Sequence, residues 1–266
     1  MPDGADLTDL IVMPVFNEAA TLRQVWQGVR RYSEAPLLAV DDGSQDDSPH
    51  ILRELQVEDR GLYVLRHARN LGYGKALVDG WNWAQAAGAL YVVTMDCDAQ
   101  HEPSLIPAFF QRLRRENVDV LSGSRYLPDS PRCAEAPGDR RQLNAEMCQV
   151  IREITGWQLS DAFCGFKAYR LAAVTGLQLD EPGYGFPLQF WLQAWNAGLK
   201  VTEAPVPLIY HPAFERRFGG GLDDWAARRR YYYEVIRREL KRLGVAGKGA
   251  LAPEGKESEQ KHACNG

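Results

Sequence analysis

Short apolar runs alternate along the first half of the chain with segments whose apolar residues recur at helical spacing. LIVMPVF (10–16), PLLAV (36–40), LYVLRH (62–67), ALYVVTM (89–95) and VDVLSGS (118–124) have the length of buried strands. Between them, Leu22, Val25, Trp26 and Val29 fall at i, i+3, i+4 and i+7, with Asn17 as a candidate cap. Ser48 and Pro49 offer a cap and a first helical position before Ile51, Leu52 and Leu55. KALVDGWNWAQAAG follows the glycine-bearing loop NLGYG, and Pro103 opens a helix burying Leu105, Ile106, Phe109, Phe110 and Leu113. This alternation predicts an α/β fold, a mostly parallel sheet with helices on both faces. The second half is less regular, with helices expected from Arg140 to Thr155 and over 186–198, and a strand over 200–210. A basic, aromatic helix, DDWAARRRYYYEVIRRELKRL, comes last. The expected organisation is one domain over 7–215, a C-terminal helix over 216–243, and a small, polar, Gly-rich tail over 244–266 that is expected to be disordered.

Composition narrows the classes. The chain has 266 residues, 45% hydrophobic and 25% charged, the profile of an ordinary globular protein. A net charge of −4 gives no whole-chain argument for a nucleic-acid partner. No apolar run reaches the roughly 18–20 residues that span a bilayer, and residues 1–10 do not read as a signal peptide. Cys97, Cys133, Cys148, Cys164 and Cys264 are scattered and lack C-x-x-C spacing, which argues against a zinc site or a disulfide framework and suits a reducing cytoplasm.

Candidate chemistry gathers at the strand ends. In open α/β sheets ligands bind beyond the carboxyl ends of the strands. Asn17 and Glu18 follow the first run, Asp41 and Asp42 the second, and Asp96 and Asp98 the fourth. Two carboxylates at i and i+2, with Gln100 as a neutral oxygen donor, suit one hard divalent cation that also binds substrate phosphates. The structural alternative for D-x-D is an Asx-rich turn capping the next helix.

Seven segments carry a resemblance: MPVFNE (13–18), VDDGSQD (40–46), RNLGYGKAL (69–77), MDCDAQHEP (95–103), GSRY (123–126), DAFCGFKAY (161–169) and GYGFPLQF (183–190). In these segments and their order the chain resembles a family-2 glycosyltransferase of the GT-A (Rossmann-like) fold, and within that family the dolichol-phosphate or polyprenyl-phosphate mannose synthase group. The resemblance implies a nucleotide-diphosphate sugar donor (GDP-mannose or a UDP-hexose), a polyprenyl phosphate acceptor, and Mg²⁺ or Mn²⁺ held by Asp96, Asp98 and Gln100. It implies that Pro14, Phe16 and Glu18 line the nucleotide pocket, that Asp41 or Asp42 bonds base or ribose, and that Lys75 approaches the nucleotide. Arg125 and Arg140 would meet donor or acceptor phosphates. The implied reaction is an inverting displacement, for which an anionic phosphate acceptor needs no base. A hydroxyl acceptor would need one, and Asp161 is the candidate, with a turn-capping role as its alternative.

The sequence departs from the family pattern in three places. Asn144 stands where a serine is common, and remains able to donate to an acceptor phosphate. Cys164 and Lys167 replace serine and arginine in DAFCGFK, so Lys167 keeps the charge without the bidentate fork. The arginine expected after VPLIY is displaced. His211 holds the position by counting, and Arg217, beside FGGG, is the choice for the diphosphate. Arginines 228–230, 237, 238 and 242 among tyrosines suggest peripheral contact with an anionic membrane. The alternative is a packed helix with Tyr232, Val235, Ile236 and Leu240 turned inward. Trp157 and Trp195 are the tryptophans nearest the acceptor half. Two rival readings are a cytosolic transferase acting on a sugar, protein or small hydroxyl, and a non-catalytic sugar-nucleotide-binding subunit.

Overall fold

The structure is a computed structural model, and it describes residues 7–131, 138–209 and 221–245. In chain order the elements are β1 (Asp9–Val15), α1 (Leu22–Tyr32), β2 (Leu37–Asp41), α2 (Ser48–Glu58), β3 (Leu62–Arg66), α3 (Tyr73–Ala86) and β4 (Tyr91–Thr94). A 3-10 turn (Pro103–Leu105) leads into α4 (Ile106–Glu116), followed by β5 (Val120–Ser124), α5 (Gly138–Thr155), β6 (Lys167–Arg170), α6 (Leu171–Val174), α7 (Phe186–Asn196), β7 (Val201–Pro205) and α8 (Trp225–Arg242). The described strands form one seven-stranded sheet in the order β3-β2-β1-β4-β6-β5-β7.

Strand periodicity builds the core on both faces. Along β1, Leu10 and Val12 join one core with Leu38, Val40, Trp81 and Trp191, while Ile11, Met13 and Val15 join the other with Leu22, Leu37 and Phe109. Alternate side chains of a strand point to opposite faces, so a strand covered by helices on both sides reads as an unbroken apolar run. Each fully buried Leu or Ile contributes about 1.5–3 kcal/mol relative to leaving it in water. β1, β2, β3 and β4 pair in parallel, as the alternation predicts.

The second half differs from expectation. β6, which the hydrophobic pattern does not announce, inserts antiparallel between β4 and β5, and β7 then pairs in parallel with β5. β5 begins at Val120 rather than 118, and β7 stops at Pro205 rather than running to 210. Asn17 is not a helix cap. It adopts a left-handed φ of 57°, its carboxamide oxygen accepts from Gln45 N at 2.8 Å, and α1 starts at Leu22 behind Thr21. Ser48 is a helical residue behind Asp47, and its hydroxyl accepts from Glu18 N at 2.9 Å.

α8 packs as a core helix. Tyr232, Val235, Ile236 and Leu240 are buried in the cluster that holds Trp191 and Phe190 of α7. Four of its arginines pair with carboxylates of the body: Arg228 with Asp139, Arg229 with Glu146, Arg238 with Glu181 and Arg242 with Asp180.

Candidate active site

The donor-side strand ends are stapled together by short polar bonds. Asn17 N donates to Ser44 Oγ at 3.0 Å, and Ala19 N to Asp46 Oδ2 at 3.0 Å. Of the two aspartates after β2, Asp42 is 3% exposed and holds the following loop, accepting from Leu71 N and Gly72 N, each at 2.8 Å. Gly72 has a φ of 102°, and a Cβ there would lie 2.3 Å from the Pro182 carbonyl, so glycine is required. Asp42 also meets His67 Nδ1 at 2.7 Å. The other ring nitrogen lies 3.0 Å from Asp79, whose second oxygen accepts from Lys75 Nζ at 2.5 Å. Asp42, His67, Asp79 and Lys75 thus lie in succession from the end of β2 to the first turns of α3, with His67 and Asp79 in ion-pair proximity and not in a well-aligned hydrogen bond. Asp41 accepts from Ser44 N at 2.9 Å and faces the half-exposed Arg66 at 3.1 Å. Phe16 is an exposed aromatic at the end of β1, while Pro14 lies within that strand. Thr21 Oγ1 donates to the Cys97 carbonyl at 2.6 Å and so connects the first strand end to the D-x-D loop, with Glu18 Oε2 lying 3.1 Å from the same hydroxyl oxygen.

The D-x-D segment leaves β4 as a tight turn. Asp98 accepts from Gln100 N at 3.1 Å across Ala99, whose φ is 58°. The Asx turn and the ion-binding reading are therefore compatible, because the turn fixes Gln100 beside the carboxylates. His101 accepts from Asp96 N at 2.9 Å through Nδ1 and packs edge-on against Phe166. Burial pushes its pKa below the ordinary imidazole value despite the nearby Asp96 and Asp98, so the ring orients the turn as a neutral group. Gly165 makes room for the other carboxylate, since a Cβ there would lie 2.5 Å from Asp96 Oδ2. Cys97, between the two aspartates, is buried.

Asp96, Asp98 and Gln100 line one cavity of about 150 Å³ with Arg125, Arg140 and Arg228. Tyr73, Tyr126, Phe163, Tyr184 and Tyr232 supply aromatic wall. The donor set suits a divalent ion. Two carboxylates at a strand end match the way Mg²⁺ is held jointly by protein and substrate phosphates. Among the described residues the buried Gln100 amide nitrogen has no hydrogen-bond partner, so it is left to donate to an acceptor that enters the cavity. Among the described residues no group of three His, Cys, Asp or Glu side chains is placed to hold a metal.

The remaining expected residues separate into those at the cavity and those behind it. Asp161 is fully buried and accepts from the backbone N, Nε and Nη2 of Arg125 and from Phe163 N and Cys164 N. Burial alone would raise its pKa, but the charge and hydrogen bonds of Arg125 hold it below the ordinary carboxylate range. A carboxylate with both oxygens engaged in this way is a weak base, and its bonds to Phe163 N and Cys164 N match the turn-capping alternative. Its geometry is that of an anchor for Arg125. Asn144 lines the cavity, yet its amide donates to the Ser160 carbonyl and its oxygen accepts from Ala162 N, each at 3.0 Å. It clasps the 160–162 turn, where a phosphate donor was expected. Glu203 supports the same turn, accepting from Ser160 N and Asp161 N. Lys167 points into the core, donating to the Cys164 carbonyl with its ammonium 5.4 Å from the Trp191 ring centre. One carbonyl partner needs no bidentate fork, which accounts for lysine there. Trp191 donates to the Ala162 carbonyl, whereas Trp157 stands edge-on to it. Arg217 and His211 lie outside the described residues. Arg228 was not expected at the cavity. Its signal was the stripe Arg228, Tyr232, Val235 and Ile236 at i, i+4, i+7 and i+8, which places an arginine on the buried face of the helix.

The family model described as glycosyl transferase family 2 matches residues 10–176. The chain belongs to this family. Its relatives include the undecaprenyl-phosphate mannosyltransferase of Micrococcus luteus, 27% identical over 217 residues, which are 80% of this chain and 88% of the relative. Another is the polyprenol monophosphomannose synthase of Mycolicibacterium smegmatis, 28% identical over 202 residues, 74% of this chain and 76% of the relative. Among solved structures, glucosyl-3-phosphoglycerate synthase from Mycobacterium tuberculosis, in complex with Mn²⁺, UDP and glucosyl-3-phosphoglycerate, superposes with a TM-score of 0.64 at 22% identity. The superposition covers 89% of this chain and 80% of that one. The fold is therefore that of the GT-A glycosyltransferases, and the chain is a glycosyltransferase.

Proposed function

We propose that this glycosyltransferase moves a hexose from a nucleotide-diphosphate sugar to the phosphate of a polyprenyl phosphate, using Mg²⁺ or Mn²⁺. The observation that carries this reading is the division of labour around Arg125. The carboxylate that would serve a hydroxyl acceptor as base, Asp161, is bound up behind the arginine, while Arg125 and Arg140 line the cavity beside the D-x-D carboxylates. A phosphate acceptor is already anionic, so the enzyme needs to hold it, align it and keep water out. The acceptor oxygen attacks the anomeric carbon as the bond to the diphosphate breaks, the configuration inverts, and the diphosphate leaves with the bonding pair.

Asp96, Asp98 and Gln100 would hold the ion. When bound, it would neutralise charge on the departing diphosphate. Phe16, Asp41 and Glu18 would face the nucleoside, with Asp42 and His67 supporting the loop that carries Lys75. The named relatives act on undecaprenyl and polyprenol phosphates, which supports the lipid acceptor. Among the described residues no helix is long and apolar enough to cross a membrane, and four α8 arginines are already paired within the protein. We therefore read any meeting with a membrane-borne acceptor as peripheral contact.

Incubating the enzyme with labelled GDP-mannose or UDP-glucose and either farnesyl phosphate or farnesol, with and without EDTA, tests the reading. Label should pass only to farnesyl phosphate and only with metal. Transfer to farnesol, or donor binding with no turnover on any acceptor, would favour the hydroxyl-acceptor or non-catalytic alternative.

A further inference from the structure

We infer that Arg228 of α8 is a third phosphate ligand of the acceptor cavity, held by Asp139 until an acceptor phosphate competes for it. The inference rests on the acceptor reading above and deepens it. Arg228 is 3% exposed, yet its partner Asp139, 2.7 Å away, is 45% exposed. The cation sits in the cavity wall and its counter-charge at the solvent rim. A second bond, from Nη1 to the Leu222 carbonyl at 2.9 Å, steadies the stem of the guanidinium group.

This arrangement differs from the one at Arg125, which is clamped by a fully buried carboxylate. An exposed carboxylate regains water when it loses its partner, so the Asp139 contact is easily exchanged. A phosphate monoester offers several anionic oxygens to the planar guanidinium fork and competes well for it. Helical spacing puts Arg228 and Tyr232 on one face, and Tyr232 stacks on Phe163 at 5.0 Å, so α8 supplies both a charged and an aromatic part of the same wall. An arginine on the buried face of a core helix, lining the cavity and paired with a carboxylate at the rim, is placed to meet an anion that enters the cavity.

Calorimetric titration of the full chain tests this, with Mg²⁺ and the preferred nucleoside diphosphate present so that the donor pocket is filled. The probes are inorganic phosphate and farnesyl phosphate in detergent. Arg228→Met should weaken binding of both roughly 10- to 100-fold, the scale of losing one charge-assisted contact, with Arg228→Lys in between. Asp139→Asn should tighten binding by about 3- to 10-fold, because the arginine is released to the phosphate. In transfer assays the acceptor KM should follow these changes while the donor KM stays fixed. A purely structural pair would make Asp139→Asn weaken binding or leave it unchanged, and either result overturns the assignment. If the variant pattern holds for inorganic phosphate but farnesyl phosphate neither binds nor accepts sugar, the lipid acceptor falls and Arg228 stands. If the wild type glycosylates farnesyl phosphate and the variants bind like it, Arg228 falls and the acceptor stands. If the wild type binds neither probe, both fall.

Discussion

The two sides of the candidate site, proposed to take the donor and the acceptor, are held together in different ways. Around β1 and β2 the loops are stapled by side-chain-to-backbone bonds between residues 27–30 apart, such as Asn17 with Ser44 and Glu18 with Ser48. Around β5, β6 and α8 the supports are charged pairs and a buried amide acting over varied distances in sequence, such as Arg125 with Asp161 and Arg228 with Asp139. Many small bonds to hydroxyls and loop carboxylates tolerate the loss of any one. The pair of Arg125 with the fully buried Asp161 does not, because removing one partner leaves the other charge uncompensated, whereas the half-exposed Asp139 makes a looser pair with Arg228. The donor half is therefore robust in stability and sensitive in binding, and the acceptor half is sensitive in both.

The largest stability effect should come from Asp161→Ala, which leaves Arg125 buried without its anchor. A loss of about 3–5 kcal/mol is expected, visible as a reduced denaturant midpoint and a lower melting temperature. If stability is unchanged and only turnover is lost, Asp161 is a base after all and the hydroxyl-acceptor reading gains. Next, Asp98→Ala should cost at least about a hundredfold in transfer rate and abolish the metal dependence of nucleotide binding, with folding nearly intact by circular dichroism. Unchanged, metal-dependent nucleotide affinity in this variant would reduce D-x-D to its Asx turn. His67→Ala removes the middle of the Asp42–His67–Asp79–Lys75 chain. The donor KM should rise and the acceptor KM should not, with about 1–3 kcal/mol lost from the partners left buried. An equal rise in both KM values would show that the halves are coupled through this chain.

The smallest effect concerns Lys167, whose pKa burial lowers. Between that lowered native value and about 10.4, the reference for an unfolded lysine, the unfolded chain binds more protons than the native one, so stability rises with pH across the window. The stability difference between wild type and Lys167→Met, measured by urea unfolding, should shift in favour of the wild type as pH climbs through that interval. A flat difference would mean that the ammonium keeps its ordinary pKa in the core.

The same contrast explains what could be read from the sequence. β1 to β4 and their helices are legible because each buried strand is an uninterrupted apolar run beside a polar strand end. The D-x-D carboxylates and the core face of α8 are legible for similar reasons. β6 is not: its four residues, KAYR, carry charge at both ends, and it becomes a central strand only because Lys167 finds the Cys164 carbonyl and the Trp191 ring. Asn17 looks like a helix cap because asparagine suits both a cap and a left-handed turn, and only the approach of the 44–46 loop decides between them. Asp161 and Asn144 occupy the expected region, but their bonds to Arg125, Ser160 and Ala162 determine their roles, and those partners lie 16 to 36 residues away.

The placement of α8 has a consequence for how the enzyme comes into being. Chains emerge from the ribosome N-terminus first, and native contacts can form as their partners appear. Every strand of the donor half is out long before residue 225, so a nascent chain can arrange its nucleotide loops while the wall carrying Arg228 and Tyr232 is still missing. A ribosome stalled between β7 and α8 would therefore display a species able to bind donor nucleotide but lacking a finished acceptor cavity, and completion of α8 would be the step that gives the new polypeptide its second substrate.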